Sequence, residues 1–77
     1  MSSAYDEAQR KLWVVRGHDT FAREDYYVGA YATREQAEAV AAEKLKLHDH
    51  QYAGELADRF FITPPEGQGA LYEYKRR

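Results

Sequence analysis

The sequence predicts an α+β domain: a three- to four-stranded antiparallel sheet, in the order ββαβ or ββαββ, with one helix packed across one face. Three observations carry this. Residues 33–48 (TREQAEAVAAEKLKLH) are rich in strong helix formers and place apolar residues at helical spacing. Two short runs of aromatic and β-branched residues precede them, and a third run, stopped by Pro64-Pro65, follows.

Residues 1–10 (MSSAYDEAQR) show no useful period and are expected to be a flexible N-terminus ahead of a domain spanning 11–75. Leu12–Arg16 (LWVVR), closed by Gly17, is expected to be a strand. Leu12 and Val14 point one way, Trp13 and Val15 the other. Both faces are therefore apolar, which predicts a central strand covered on both sides. Gly17–Asp25 (GHDTFARED) reads as a polar loop with one aromatic, Phe21, and an Asx-type turn at Asp19. It is long for a hairpin connection, usually about two to five residues, so the strands can extend into it.

Tyr26–Ala32 (YYVGAYA) reads as the second strand, antiparallel to the first. Simple alternation puts Tyr26, Val28 and Ala30 on one face and Tyr27, Gly29 and Tyr31 on the other, while Gly29 signals a bulge or a close neighbour. The helix follows directly. Thr33 and Gln36 form a capping box, and Arg34 with Glu38 forms an i,i+4 ion pair. Ala37, Val40, Ala41 and Leu47 fall on one side, with Leu45 at its margin and Lys44 near the stripe with its ammonium snorkelling outward. After Leu47 the pattern dissolves, with Gly54 as a stop and a last turn at Leu56-Ala57. Phe60–Thr63 (FFIT) reads as the third strand, EGQG as a turn, and Leu71–Lys75 (LYEYK) as a short fourth strand. Arg76-Arg77 is a basic tail. A helix returning the chain from the second strand gives the sheet order 2-1-3-4.

Composition narrows the functional classes. A chain of 77 residues makes one domain near the lower size limit for a self-sustaining core. There is no cysteine, so neither disulfides nor a thiolate metal site is available. No apolar run has the length of a membrane span or signal-peptide core, which makes the expected location cytoplasmic. Thirteen acids and eleven bases are dispersed to a net charge of −2, which disfavours a nucleic-acid or lipid binder. Aromatic residues make up 14% of the chain; such rings supply large buried area to a small core, and Tyr and Trp also serve half-wet interfaces, so both uses are expected.

Candidate chemistry is sparse. His48-Asp49-His50 places two imidazoles close in sequence, but only His18 is left as a third and no ligand framework fixes it, so no metal or other cofactor is expected. His18-Asp19-Thr20 contains triad-like residue types in a chain too small for a water-excluding pocket. Its glycines lack the Lys-Ser/Thr of a phosphate loop. The expectation is a protein without enzymatic activity. An aromatic sheet can also stack bases, yet the basic, glycine-punctuated segment of RNA-recognition sheets is absent and the cations are scattered.

Two resemblances add expectations. Val28, Gly29, Tyr31, Thr33 and Ala37 resemble one strand-to-helix unit of the SPOR family, which implies peptidoglycan binding; the likeness covers about a quarter of the chain. A second strand–helix copy and an upstream anchor, which SPOR domains carry, are not seen. The layout of a charged start, the Leu12-Trp13-Val14-Val15 strand, a polar loop, a strand running into an Ala/Glu/Leu helix and a Pro-bearing end resembles small phage-encoded inhibitors of bacterial RNA polymerase. That likeness implies a phage or mobile-element protein that docks on a bacterial host complex.

These readings converge on a small protein–protein interaction module. A sheet with two apolar faces and one helix leaves a patch of roughly several hundred Å², more than soluble monomers usually expose. A homodimer across the sheet or a protein partner would cover it. The expected contact residues are Trp13, Tyr27, Tyr31 and Tyr72 on the open face, with Phe21 and Arg23 in the loop. The competing expectations are a SPOR-like glycan binder and a nucleic-acid module using the aromatic face.

Overall fold

The computed structural model describes residues 10–51 and 58–75, the last four helical residues of the first stretch by their backbone alone. The expectations for the N-terminus before Arg10, for Gly54 and Leu56-Ala57, and for Arg76-Arg77 lie outside these residues. Strand β1 spans Trp13–Asp19, β2 Glu24–Tyr31, helix α1 Arg34–Gln51, β3 Arg59–Thr63 and β4 Tyr72–Tyr74. The four strands form one antiparallel sheet in the order β2-β1-β3-β4, with α1 packed across one face. This is the α+β architecture, and the strand order, that the sequence predicts.

Each element is held by identifiable local chemistry. The β1 and β2 strands reach further into the polar loop than their apolar cores and leave a four-residue turn, Thr20–Arg23. The Asp19 carboxylate accepts from the Phe21 and Ala22 amides at 2.9 and 3.0 Å, which is the Asx-type turn. Arg23 closes it at φ 60°, and its amide donates to the Asp19 carbonyl. At the start of α1, the Gln36 amide donates to Thr33 Oγ1 at 3.1 Å. In return Gln36 Oε1 accepts from the amides of Ala32 and Thr33, which completes the capping box. Arg34 Nε pairs with Glu38 at 3.0 Å.

The core is small and tightly closed. Val15, Phe60 and Ile62 from the sheet meet Ala37 and Ala41 of α1, all five with no solvent exposure. Around them pack Trp13, Val28, Tyr31, Leu45, Tyr72 and Tyr74. Leu45, rather than Leu47, continues the Ala37–Ala41 row as its i+4 neighbour, and Leu47 is 52% exposed. The expectation that Leu47 shares the contact face is thereby corrected.

A bulge in β2 decides which face each residue occupies. Val15 pairs with Gly29, whereas Arg16 pairs with Tyr27, so Val28 is the extra residue. Tyr26, Val28, Gly29 and Tyr31 consequently lie on the helix side, and Tyr27 and Ala30 on the other. Two rings lie against glycines there. The Tyr26 ring covers Gly17, its cross-strand partner, and the Tyr31 ring covers Gly29; a Cβ at either glycine would overlap the phenol. Tyr26 also meets Phe60 edge-on with centroids 6.4 Å apart and donates its hydroxyl to Asp58. Burial, reinforced by the Asp58 carboxylate, pushes the Tyr26 phenol far above its ordinary pKa.

Two stability predictions follow from these contacts. Gly17→Ala should displace the Tyr26 ring, break its bond to Asp58 and destabilise the fold by about 1–3 kcal/mol in equilibrium urea unfolding. Gly29→Ala should cost less, because the added Cβ overlaps the Tyr31 ring less deeply and Tyr31, unlike Tyr26, has no hydrogen bond among the described residues to lose; equal losses would show that Tyr26 is not the anchor. Thr33→Ala removes the cap hydroxyl and should lower stability by about 1 kcal/mol, read in the same assay.

Candidate functional site

The sheet face opposite α1 carries the residues of alternate parity: Val14, Arg16 and His18 on β1, Asp25, Tyr27 and Ala30 on β2, Arg59, Phe61 and Thr63 on β3, and Glu73 on β4. One corner is closed by the chain itself. The Glu66 amide donates to the Arg10 carbonyl at 2.7 Å, Pro64 and Pro65 are buried, and Val14 beneath them is almost fully buried. The remainder is left open by the described residues and forms a groove of about 370 Å³ lined by Arg16, His18, Asp25, Phe61, Thr63 and Leu71 among others. A second depression of about 250 Å³, reaching Arg10, Pro64 and Glu66, shares Arg16 and Thr63 with it. The two make one trough across the face.

Most charges in the trough are paired across strands. His18 Nδ1 and Asp25 Oδ1 are 2.6 Å apart, between directly opposed residues of β1 and β2. Arg59 grips Glu73 with two parallel hydrogen bonds, Nε to Oε2 at 3.0 Å and Nη2 to Oε1 at 2.7 Å, and its guanidinium lies 5.9 Å from the Phe61 ring centroid. Those hydrogen bonds from Arg59 hold the Glu73 carboxyl below its usual range. Arg16 differs. It sits at the centre of the face between its cross-strand neighbours Tyr27 and Phe61, and its guanidinium makes no hydrogen bond or ion pair among the described residues.

The expected contact residues divide into two groups. Tyr27, 49% exposed, lies on the open face. Phe21, 86% exposed, and Arg23 project at the β1–β2 turn next to the His18–Asp25 end of the trough. Trp13, Tyr31 and Tyr72 do not belong to this face: they pack around the core under α1. Tyr72 is tied to the helix by its hydroxyl, which donates to Glu38 at 2.7 Å, while Arg34 lies over its ring. Burial, then the Glu38 carboxylate, raises the Tyr72 phenol's pKa. The bulge explains Tyr31, since the extra residue separates its parity from that of Tyr27. Trp13 follows Val15, which the alanine stripe covers.

The open face is therefore not the greasy Trp/Val/Tyr patch expected. It is amphipathic, with Tyr27, Phe61 and Leu71 interleaved among ion pairs. Alternation from the buried Val15 would have found Arg16, and the Phe60/Phe61 choice follows only once the β1–β3 register is known. His18 and Asp19 do not build the triad-like constellation, because Asp19 is used in the turn and His18 contacts Asp25. His48 to His50 fall in α1, with side chains outside the described residues; among the described residues no three potential ligands cluster for a metal.

Among the described residues, fold and site together define a two-layer α+β domain with one helix-covered and one open, charged-aromatic sheet face. No known family matches the chain, and neither a curated protein nor a solved structure shows significant similarity to it. Among the described residues, no helix is long and apolar enough to cross a membrane.

The Arg59–Glu73 clamp makes β4 pH-sensitive in a defined direction. Because the Glu73 pKa is lowered on folding, its contribution is complete above about 4.5, the ordinary value, and is lost as pH falls through the folded value. The pair is solvent-accessible, so its worth is under about 1 kcal/mol. Amide exchange of Tyr72–Tyr74 should accelerate at acid pH relative to the β1–β3 ladder, and Glu73→Gln should show that faster exchange already at neutral pH.

Proposed function

We propose that this chain is a non-enzymatic protein–protein interaction module that docks through its open sheet face and the adjoining β1–β2 turn. The observation that carries this reading is the placement of an arginine, unpaired among the described residues, between two rings, Tyr27 and Phe61, on a face that the described residues leave uncovered. Aromatic and arginine side chains of this kind dominate interface energetics. The cross-strand pairs around them set a fixed surface rather than a mobile one, which favours recognition. Arg23 in the left-handed region holds Phe21 out at the turn at a conformational cost of about 1–2 kcal/mol, strain of the sort found where a contact is made. The likeness of the layout to small phage inhibitors supports a partner within a bacterial host complex, which the module would inhibit or modulate in the cytoplasm.

Size argues against a second copy as the main partner. Four strands about 4.8 Å apart and some five residues long give a face of about 300 Å². A dimer through it would bury about 600 Å² in total, well below the roughly 1,200 Å² of stable interfaces. A segment or small protrusion of another protein fits that area better.

Affinity capture from a bacterial lysate tests the reading. Wild-type chain should retain a discrete set of proteins that the Tyr27→Ala/Phe21→Ala variant retains about ten- to thirtyfold less, with unchanged melting temperature. Equal retention by the variant, or retention lost only when the fold is lost, would remove the open face as the docking surface.

A further inference from the structure

We infer that the open-face trough takes an extended acidic segment of a partner protein, with a carboxylate seated on Arg16 and apolar side chains on either side of it. This rests on the docking-face reading and adds the chemistry of what docks. The first ground is charge complementarity. Within the trough the His18–Asp25 and Arg59–Glu73 pairs satisfy one another. Among the described residues, the basic side chains without an ion pair are Arg16 at the centre and Arg10 at one end, beside Glu66, with Lys11 extending the cationic side in an adjoining depression. Of the described carboxylates at the trough, Asp25 and Glu73 face His18 and Arg59 and Glu66 stands at the Arg10 end, while Glu35 and Glu43 lie on α1, the other layer. Among the described residues here, four basic side chains (Arg10, Lys11, Arg16, Arg59) stand against three carboxylates (Asp25, Glu66, Glu73), a reversal of sign in a chain of net charge −2.

The second ground is the shape and composition of the floor. Arg16 lies between Phe61 and Tyr27, and the depressions on either side of it have apolar linings, Leu71 and Phe61 in one, Val14 and Pro64 in the other. A strand-like segment that directs alternate side chains downward would place an acidic residue on Arg16 and apolar ones in the flanking depressions. Guanidinium–carboxylate pairing supplies the directional contact. A second copy of this chain is disfavoured on the same ground, since a two-fold axis through the centre of the face sets Arg16 against Arg16. A nucleic-acid strand needs a track of cations along its phosphates, and three free ones beside paired carboxylates do not make one.

The test uses the full chain and a display library of random dodecapeptides, with oligothymidylate as a separate probe. Selection on the wild type should return peptides with Asp or Glu flanked by apolar or aromatic residues. Synthetic versions should shift the amide resonances of Arg16, Tyr27 and Phe61 and lose at least about tenfold in affinity to Arg16→Glu. Arg16 is exposed, so that variant should keep its melting temperature; Arg16→Gln, which removes charge without reversing it, should fall between. Selected peptides that map to this face without acidic preference, or whose affinity Arg16→Glu leaves unchanged, overturn the acidic inference while the docking face stands. Peptides mapping to α1, or no peptides at all, overturn both. Tighter binding of oligothymidylate than of any peptide at physiological salt replaces the partner class with nucleic acid.

Discussion

Everything in this molecule depends on how closely α1 can sit on the sheet. Ala37 and Ala41 have no exposed surface, and beneath them lie Val15, Phe60 and Ile62, equally sealed. Small residues on the helix and large ones on the sheet make the two surfaces interdigitate at the density of a protein interior. Burial of each of the three sheet residues is worth about 1.5–3 kcal/mol. A chain this short has a net stability of about 4–12 kcal/mol, so that contact alone is comparable with the total. The rim of Trp13, Tyr31, Tyr72 and Leu45 then excludes water from an otherwise shallow core.

Seating the helix there consumes one face of the sheet, and the β2 bulge determines what the other face receives. Without the extra residue at Val28, strict alternation would keep Tyr27 and Tyr31 together, as the sequence reading has them. With it, Tyr31 turns under the helix and covers Gly29, while Tyr27 stays beside Arg16. Gly29 was a visible marker of a bulge, but a glycine marks a place and not a direction of slip. The relative parity of the three β2 tyrosines, Tyr26, Tyr27 and Tyr31, hangs on that one residue. For the same reason Trp13 and Tyr72 were legible as strand residues and not as members of a particular face.

Local chemistry was legible in a way that non-local chemistry was not. The Thr33–Gln36 box, the Arg34–Glu38 pair and the Asp19 turn each involve residues within four positions, and backbone geometry fixes their proximity once the element forms. The strand order followed from chain direction and short connections. By contrast, the Arg59–Glu73 fork, the Tyr72–Glu38 strap and the amide of Glu66 on the Arg10 carbonyl join positions whose spacing depends on register across turns. Leu45 and Leu47 illustrate the limit within a helix, since both lie near the apolar stripe and only the tilt of α1 selects one.

A single helix packed across one face of a four-stranded sheet leaves the other face to be made compatible with water. The molecule meets this with cross-strand pairs set among rings: imidazole against carboxylate at one side, a guanidinium fork at the other, and Phe61 half-covered by Arg59. Such pairing lowers the apolar area in any one patch and so limits non-specific association. It also gives each polar group it uses a partner, which makes an unpaired charge conspicuous. Solubility alone would be served as well by a carboxylate opposite Arg16, yet its neighbours on the flanking strands are Tyr27 and Phe61. The face is polar enough to stand in water and incomplete at its centre, and that incompleteness, more than its aromatic content, is what gives it the character of a binding surface.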